Sequence, residues 1–277
     1  MLNNLRVTGA LVRDTFREAF ARKIFWGFAG CSTALILFFL FIMKIDVVEG
    51  AVATVSLFGK TSDTQDVARL VRQVHGGLAA FLFTAGMFLA VFASAGLIPT
   101  VFEPGRIELL LSKPVARHHI LLGRYLGNLL VVAANVFYLV IAVWLIFGLK
   151  TGVWTFGFLW SSVLTVFVFA ILLTVVLLIG VLWESAVVAT MVTFGILILS
   201  PILAQKYTIE RLLTSEWSRN VVRGLYYVLP KVFDLGNMAR QIVLGDPITS
   251  WMPVWSSLLF GVVVLSGGLF AFSRRNY

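Results

Sequence analysis

The stretch Thr155–Leu182 reads TFGFLWSSVLTVFVFAILLTVVLLIGVL and contains no aspartate, glutamate, lysine, arginine or histidine. A helix crossing a bilayer needs roughly 20 mostly apolar residues, and this run exceeds that length. In a bilayer a helix satisfies every backbone polar group internally, and an apolar surface costs nothing. Working outward, the same pattern recurs at Ile24–Met43, Leu78–Ile98, Ile120–Phe147, Ala186–Leu203 and Pro253–Phe272. The expectation is an all-α integral membrane protein with six transmembrane helices in one domain spanning residues 1–277.

Composition agrees. Of the 277 residues 60% are hydrophobic and only 13% charged, and the mean hydropathy is +0.96. Soluble chains carry about a quarter charged residues, so there is too little charge here to coat a particle in water. Disorder, a disulfide scaffold and a soluble nucleic-acid binder are excluded on this ground. The single cysteine, Cys31, has no partner within the chain. The net charge of +9 reads as topology and headgroup contact, not as affinity for nucleic acid. Trp26, Trp154, Trp160, Trp183, Trp251 and Trp255 fall near span boundaries, where amphipathic indoles are favoured.

Arg6, Arg13, Arg17, Arg22 and Lys23 precede the first span, and Lys44 alone follows closely. The positive-inside rule then puts the N-terminus in the cytoplasm, and six spans return the C-terminus to that side. The first apolar run is span-length with no small-residue cleavage site behind it, so it reads as an uncleaved anchor.

Two outer loops follow from this topology. Residues 44–77 open with a β-leaning stretch, Val47 to Leu57, then a short helix with Ser62 and Gln65 as a capping box. Val67, Leu70, Val71 and Val74 form the apolar stripe of that helix. Residues 204–252 place Trp217, Val221, Leu225 and Val228 at helical spacing before Pro230, which suits an interfacial or re-entrant helix.

Chemistry finds little support. Gly59-Lys60-Thr61 resembles the end of a P-loop, but position 54, where the motif needs glycine, is Thr54. The histidines, His75, His118 and His119, all lie outside the expected span cores, which leaves no intramembrane haem or metal ligands. Ionisable groups are nearly absent from the span interiors: Arg124 lies near the start of the third, and Glu184 at the turn between the fourth and fifth. Ion-coupled carriers commonly place such groups at mid-bilayer, so the energy for any uphill transport is expected from a cytoplasmic partner.

Two cytoplasmic segments suit such a partner. The N-terminal segment, residues 1–23, sets Leu5, Gly9, Val12, Phe16 and Phe20 on one helical face and Arg13 and Arg17 on the other. Glu18 and Arg22 form an i,i+4 pair. It reads as an amphipathic elbow lying in the membrane surface. The second segment, residues 99–119, contains Glu103-Pro104-Gly105-Arg106-Ile107-Glu108-Leu109-Leu110-Leu111-Ser112-Lys113-Pro114. Pro104-Gly105 marks a turn, Ile107, Leu110 and Leu111 can share a face, and Pro114 sets an end. Span three then opens with Gly123-Arg124-Tyr125-Leu126-Gly127, a spacing that permits close helix approach.

The stretch from Glu103 to Gly127 resembles the signature region of ABC-2 type transporter permeases. It is most similar to the branch associated with maturation of multicopper enzymes, including nitrous oxide reductase. Tyr226-Tyr227-Val228-Leu229-Pro230, with Phe233-Asp234-Leu235 behind it, resembles the stretch before the last span in that group. The resemblance implies an inner-membrane permease subunit, not itself an enzyme, that pairs with a second permease as a homodimer. It implies two copies of a separate ATPase that bind ATP and magnesium, no cofactor in this chain, and a periplasmic or membrane accessory protein. The coupling role would fall on Glu103, Arg106, Glu108, Leu110, Leu111, Lys113 and Pro114. Phe16, Arg17 and Phe20 would belong to the elbow contacting the same partner.

Asn135, Thr165, Thr174, Thr190 and Thr193 are polar enough to line a substrate path, although such groups also serve helix–helix and backbone hydrogen bonds. A secondary transporter or channel, and a non-transporting scaffold for enzyme maturation, stay open as alternatives.

Overall fold

A computed structural model describes residues 2–21, 23–42, 44–48, 52–57, 60–61, 65–96, 117–213 and 215–274. Its spanning body is helical. Helix α1 (Leu2–Ala21) is followed by α2 (Lys23–Leu37), which runs on as a π-helical turn over Phe38–Ile42. The segments Val12–Ala21 and Phe25–Phe41 meet at 75°. Helix α3 (Val67–Phe81) passes through a π-helical turn, Leu82–Gly86, into α4 (Met87–Ala95). Helices α5 (Arg117–Thr151), α6 (Phe156–Trp183) and α7 (Ala186–Ala204) follow. Helices α8 (Lys206–Leu212), α9 (Glu216–Val228), α10 (Val232–Leu244) and α11 (Met252–Arg274) complete the chain.

Among the described residues, five continuous helices are long and apolar enough to span: Val67–Ser94, His118–Thr151, Phe156–Trp183, Ala186–Ala204 and Met252–Arg274. The bent pair at the N-terminus makes a sixth if it is taken as one span. Helix α6 is the axis of the bundle. Phe158, Val168, Leu172, Leu173, Val176, Leu177 and Val181 are fully buried on it, over more than half of its circumference. Helix α11 packs closely against it because Gly268 lacks a side chain: a Cβ there would lie 2.5 Å from Leu177 Cδ2. The outward faces carry exposed Trp160, Met191, Ile198, Leu259 and Val263, as lipid contact requires.

The β-leaning stretch is an antiparallel hairpin. β1 (Lys44–Val48) pairs with β2 (Val52–Leu57) in the register Lys44↔Ser56 to Val48↔Val52. β3 (Lys60–Thr61) and β4 (Gln65–Asp66) add to the other edge of β2. Ahead of the hairpin, Lys150 Nζ at the end of α5 donates to the carbonyls of Phe39 and Leu40, at 2.9 and 2.7 Å. Those carbonyls belong to the last turn of the first span, where helical acceptors run out of partners.

Three features differ from the sequence reading. The helix that carries the second expected span, Leu78–Ile98, starts earlier, at Val67, because the amphipathic stripe of Val67, Leu70 and Val71 is buried against the bundle and continues it. Its N-cap is Asp66, whose carboxylate accepts from Ala68 N–H at 3.0 Å. Gln65, assigned to a capping box, lies in β4, and Ser62 is outside the described residues. His75, placed in an outer loop, is fully buried inside the bundle. It stacks on Phe158 with ring centroids 4.3 Å apart, and its Nδ1 bonds Thr155 Oγ1 at 2.6 Å.

Residues 204–252 also hold more than a surface loop. Helix α10 buries Val232, Leu235, Met238, Ala239 and Val243 against α6 and its neighbours. A Cβ on Gly157 would fall 2.2 Å from the Ile242 carbonyl oxygen, so α10 crosses the start of α6 at backbone contact. Helix α9 buries no residue.

Candidate functional site at the junction of the N-terminal helix and the third span

Helix α4 ends at Ala95 and α5 starts at Arg117, and residues 97–116 between them are outside the described residues. Glu103, Arg106, Glu108, Leu110, Leu111, Lys113 and Pro114, the residues expected to couple to a partner, lie between these points and outside the described residues. The helices flanking them are held together by one short stretch of α5.

Arg124, in the second turn of α5, is 2% exposed. Its Nη1 donates to the Glu18 carboxylate, and its Nη2 to Asp14 Oδ2 at 3.3 Å. Asp14 and Glu18 are four residues apart on α1 and therefore share a face. One turn along α5, a Cβ on Gly127 would sit 2.5 Å from Thr15 Cβ, so Thr15 occupies the space a side chain would need. Asn128 Nδ2 then donates to the Ser94 carbonyl at 3.3 Å. Residues 124–128 thus hold α1 on one side and the last turn of α4 on the other. Farther in, Tyr125 O–H donates to the Ala170 carbonyl at 3.0 Å, tying the same stretch to the axial helix.

Among the described side chains of α1 the buried ones are small, Thr15 and Ala19, at 0% and 2% exposure. Of the expected elbow contacts, Arg17 is exposed and Phe20 points outward, 47% exposed. Phe16 lies in α1, and its side chain is outside the described set. Phe20 also shapes the bend into α2: its ring meets Phe25 edge-on at 4.6 Å, and its carbonyl accepts from Trp26 Nε1 at 2.9 Å.

The residues expected along a substrate path are scattered through the bundle. Asn135 is buried, its Oδ1 accepting from Ser32 Oγ of the first span at 2.8 Å. Thr165, Thr174, Thr190 and Thr193 each donate to a carbonyl three or four residues back in their own helix, at 2.7–2.9 Å. Thr165 lines a small apolar cleft with Phe28, Gly86, Met87 and Val136, beside the π-helical turn of the second span.

The Arg124 latch went unread in the sequence, yet it had a signal. An arginine inside a span, on a glycine-rich face, needs a carboxylate. Asp14 and Glu18 are the only acidic residues ahead of the first span.

No curated protein matches the chain. Over residues 10–276 it matches the family described as ABC-2 family transporter protein. That match runs from the N-terminal helix through the last span and takes in the Arg124 junction. The chain, a membrane permease built of apolar spanning helices, belongs to the ABC-2 transporter family.

Proposed function

We propose that this chain is the transmembrane half of an ATP-driven machine. Two copies pair in the cytoplasmic (inner) membrane, and each docks a separate ATPase subunit that binds ATP and magnesium. Both termini face the cytoplasm. The segment 99–119 inserts into the ATPase as a coupling helix, through Glu103, Arg106, Glu108, Leu110, Leu111, Lys113 and Pro114. Helix α1 acts as the elbow beside it, offering Phe16, Arg17 and Phe20. The work done is export of a substrate or mechanical remodelling of a membrane-side partner, including maturation of a copper enzyme through an accessory protein. Asn135 and the buried threonines are the candidate polar lining of a path.

The observation that carries this reading is the family match across residues 10–276. The Arg124 junction supports it physically. A partner that moves the segment between α4 and α5 would displace helices already fastened to α1 and α6, so motion would pass into the bundle as rigid bodies. Transmission requires contacts that differ between the partner's nucleotide states.

The test is purification from native membranes, followed by reconstitution with the co-purifying ATPase and measurement of ATP turnover. Glu103→Lys with Glu108→Lys is expected to lower turnover or abolish docking. Unchanged turnover with docking intact would remove the coupling assignment. Uphill transport by the purified chain alone, driven by an ion gradient, would favour a secondary transporter instead.

A further inference from the structure

Helix α9 presents three different sides, and protein and water account for only two of them. With about 3.6 residues per turn, Ser218, Val222 and Tyr226 share the half-buried side, toward α7 and α8. Hydrogen bonds hold that side: Tyr226 O–H donates to Asp234 Oδ2 and Arg219 Nε to the Leu213 carbonyl, each at 3.0 Å. The second side carries Glu216, Asn220 and Arg223, all exposed, with Arg223 paired to Glu210 of α8 at 3.1 Å. The third carries Trp217, Val221, Leu225 and Val228, at 75%, 37%, 43% and 66% exposure. Gly224 lies on this third side, and a Cβ there would meet nothing within 4 Å.

An amphipathic helix on a water-soluble body turns its apolar side to that body. Here the apolar side is turned away from α7 and α8 while the charged side is also open, so the helix sits where two solvents meet. Spacing alone suits either an interfacial or a re-entrant helix. Sinking α9 into the hydrocarbon would take Glu216, Asn220 and Arg223 with it, which is expensive. Lying flat leaves those three in water and gives the apolar side the acyl boundary.

The lipid-facing exterior reaches this level of the bundle. Ile198, Leu199 and Ile202 are exposed on the last turns of α7, against which α9 packs. Trp251 and Trp255 are exposed where α11 begins, as indoles at a membrane interface are.

We infer that α9 is an interfacial anchor whose docking partner is the lipid surface itself. It lies in the membrane plane with Trp217, Val221, Leu225 and Val228 among the upper acyl segments and Glu216, Asn220 and Arg223 in water. The Arg223–Glu210 pair and the Tyr226–Asp234 bond set the roll of the helix, so that its apolar side points into the bilayer. The inference needs the membrane setting of the chain but no ATPase.

The full chain, with Cys31→Ser to remove its one thiol, is reconstituted in phosphatidylcholine–phosphatidylglycerol vesicles. Nitroxide labels are placed through Trp217→Cys, Val221→Cys, Leu225→Cys and Val228→Cys, and through Glu216→Cys and Asn220→Cys. Collisions with lipid-soluble oxygen and with a water-soluble nickel chelate are read at each site. The oxygen-to-nickel ratio is expected to be about tenfold higher on the apolar side than at positions 216 and 220. Equal chelate access on both sides would overturn the inference by placing the apolar side in water. Labels at 217, 221, 225 and 228 that neither reagent reaches would overturn it in favour of a protein partner. A high oxygen ratio on both sides would overturn it in favour of a re-entrant helix.

A second measurement needs no label. The tryptophan emission lost in Trp217→Phe should be quenched more by lipids brominated near the headgroup than by lipids brominated near the chain end. Absent quenching, or the reverse order, would overturn the inference even if a cysteine variant failed to assemble.

Discussion

Thr15 lies where the side chain of residue 127 would be. The glycine there lets α1 rest directly on α5, and any Cβ would meet Thr15 Cβ at 2.5 Å. Gly127→Ala is therefore expected to lift α1 away, at the ~1–3 kcal/mol typical of overpacking. Pairing it with Thr15→Gly removes the opposing atoms and should recover most of the loss. Thermal unfolding of the two variants in detergent checks this. Equal destabilisation with and without the second change would mean that the helices do not meet here.

The latch beside this contact is unequal in its two arms. Glu18 is 17% exposed and Asp14 58%, and both bond a fully buried guanidinium. Removing the better shielded partner leaves the buried guanidinium with only exposed Asp14 to balance it, so Glu18→Gln should destabilise by about 3 kcal/mol. Asp14→Asn should cost no more than about 1 kcal/mol, the range for an exposed ion pair. Limited proteolysis within residues 2–21 gives a second readout, since only the Glu18 variant should release the helix.

The spanning body was legible because charge-free runs of this length have one stable setting in lipid. Two elements were misjudged for a shared reason: they are buried without being uniformly apolar. Arg69, Arg72 and Gln73 interrupt the start of the second span on its outer side, while Val67, Leu70 and Val71 carry it inward. In α10, exposed Asn237 and Arg240 alternate with buried Leu235, Met238 and Ala239 at helical spacing. That pattern marks burial, but thirteen residues cannot cross a bilayer, so a span-length criterion passes over them. The Arg124 latch needed information of another kind. It joins residues more than a hundred positions apart, and no local periodicity encodes such a pair.

His75 offers a test of burial against hydrogen bonding. Its ring stacks on Phe158 and meets Phe147 edge-on at 4.9 Å, while Nε2 has no hydrogen-bond partner among the described residues. Phenylalanine keeps both ring contacts and removes the unsatisfied nitrogen, so His75→Phe should change stability by less than about 1 kcal/mol. His75→Ala should cost about 3 kcal/mol or more through the cavity it leaves. If the two variants were equally unstable, the bond to Thr155 and not the packing would be what holds this site.

Lys231 makes folding depend on alkaline pH. Burial lowers its pKa below the ordinary 10.5, the positive charge of Lys206 lowers it further, and Asp234 partly opposes them. In the unfolded chain the amine keeps its ordinary value, so between the lowered pKa and 10.5 the unfolded state binds more protons. Stability in that window therefore rises with pH: the penalty for burying the charged amine is full at neutral pH and fades as the folded amine loses its proton. Lys231→Met removes the titrating group and should flatten this rise. Thermal unfolding midpoints of wild type and variant, measured in lipid-free detergent from pH 7 upward, decide the matter. A wild-type curve no steeper than the variant's would mean that this amine keeps its proton as easily in the fold as in water.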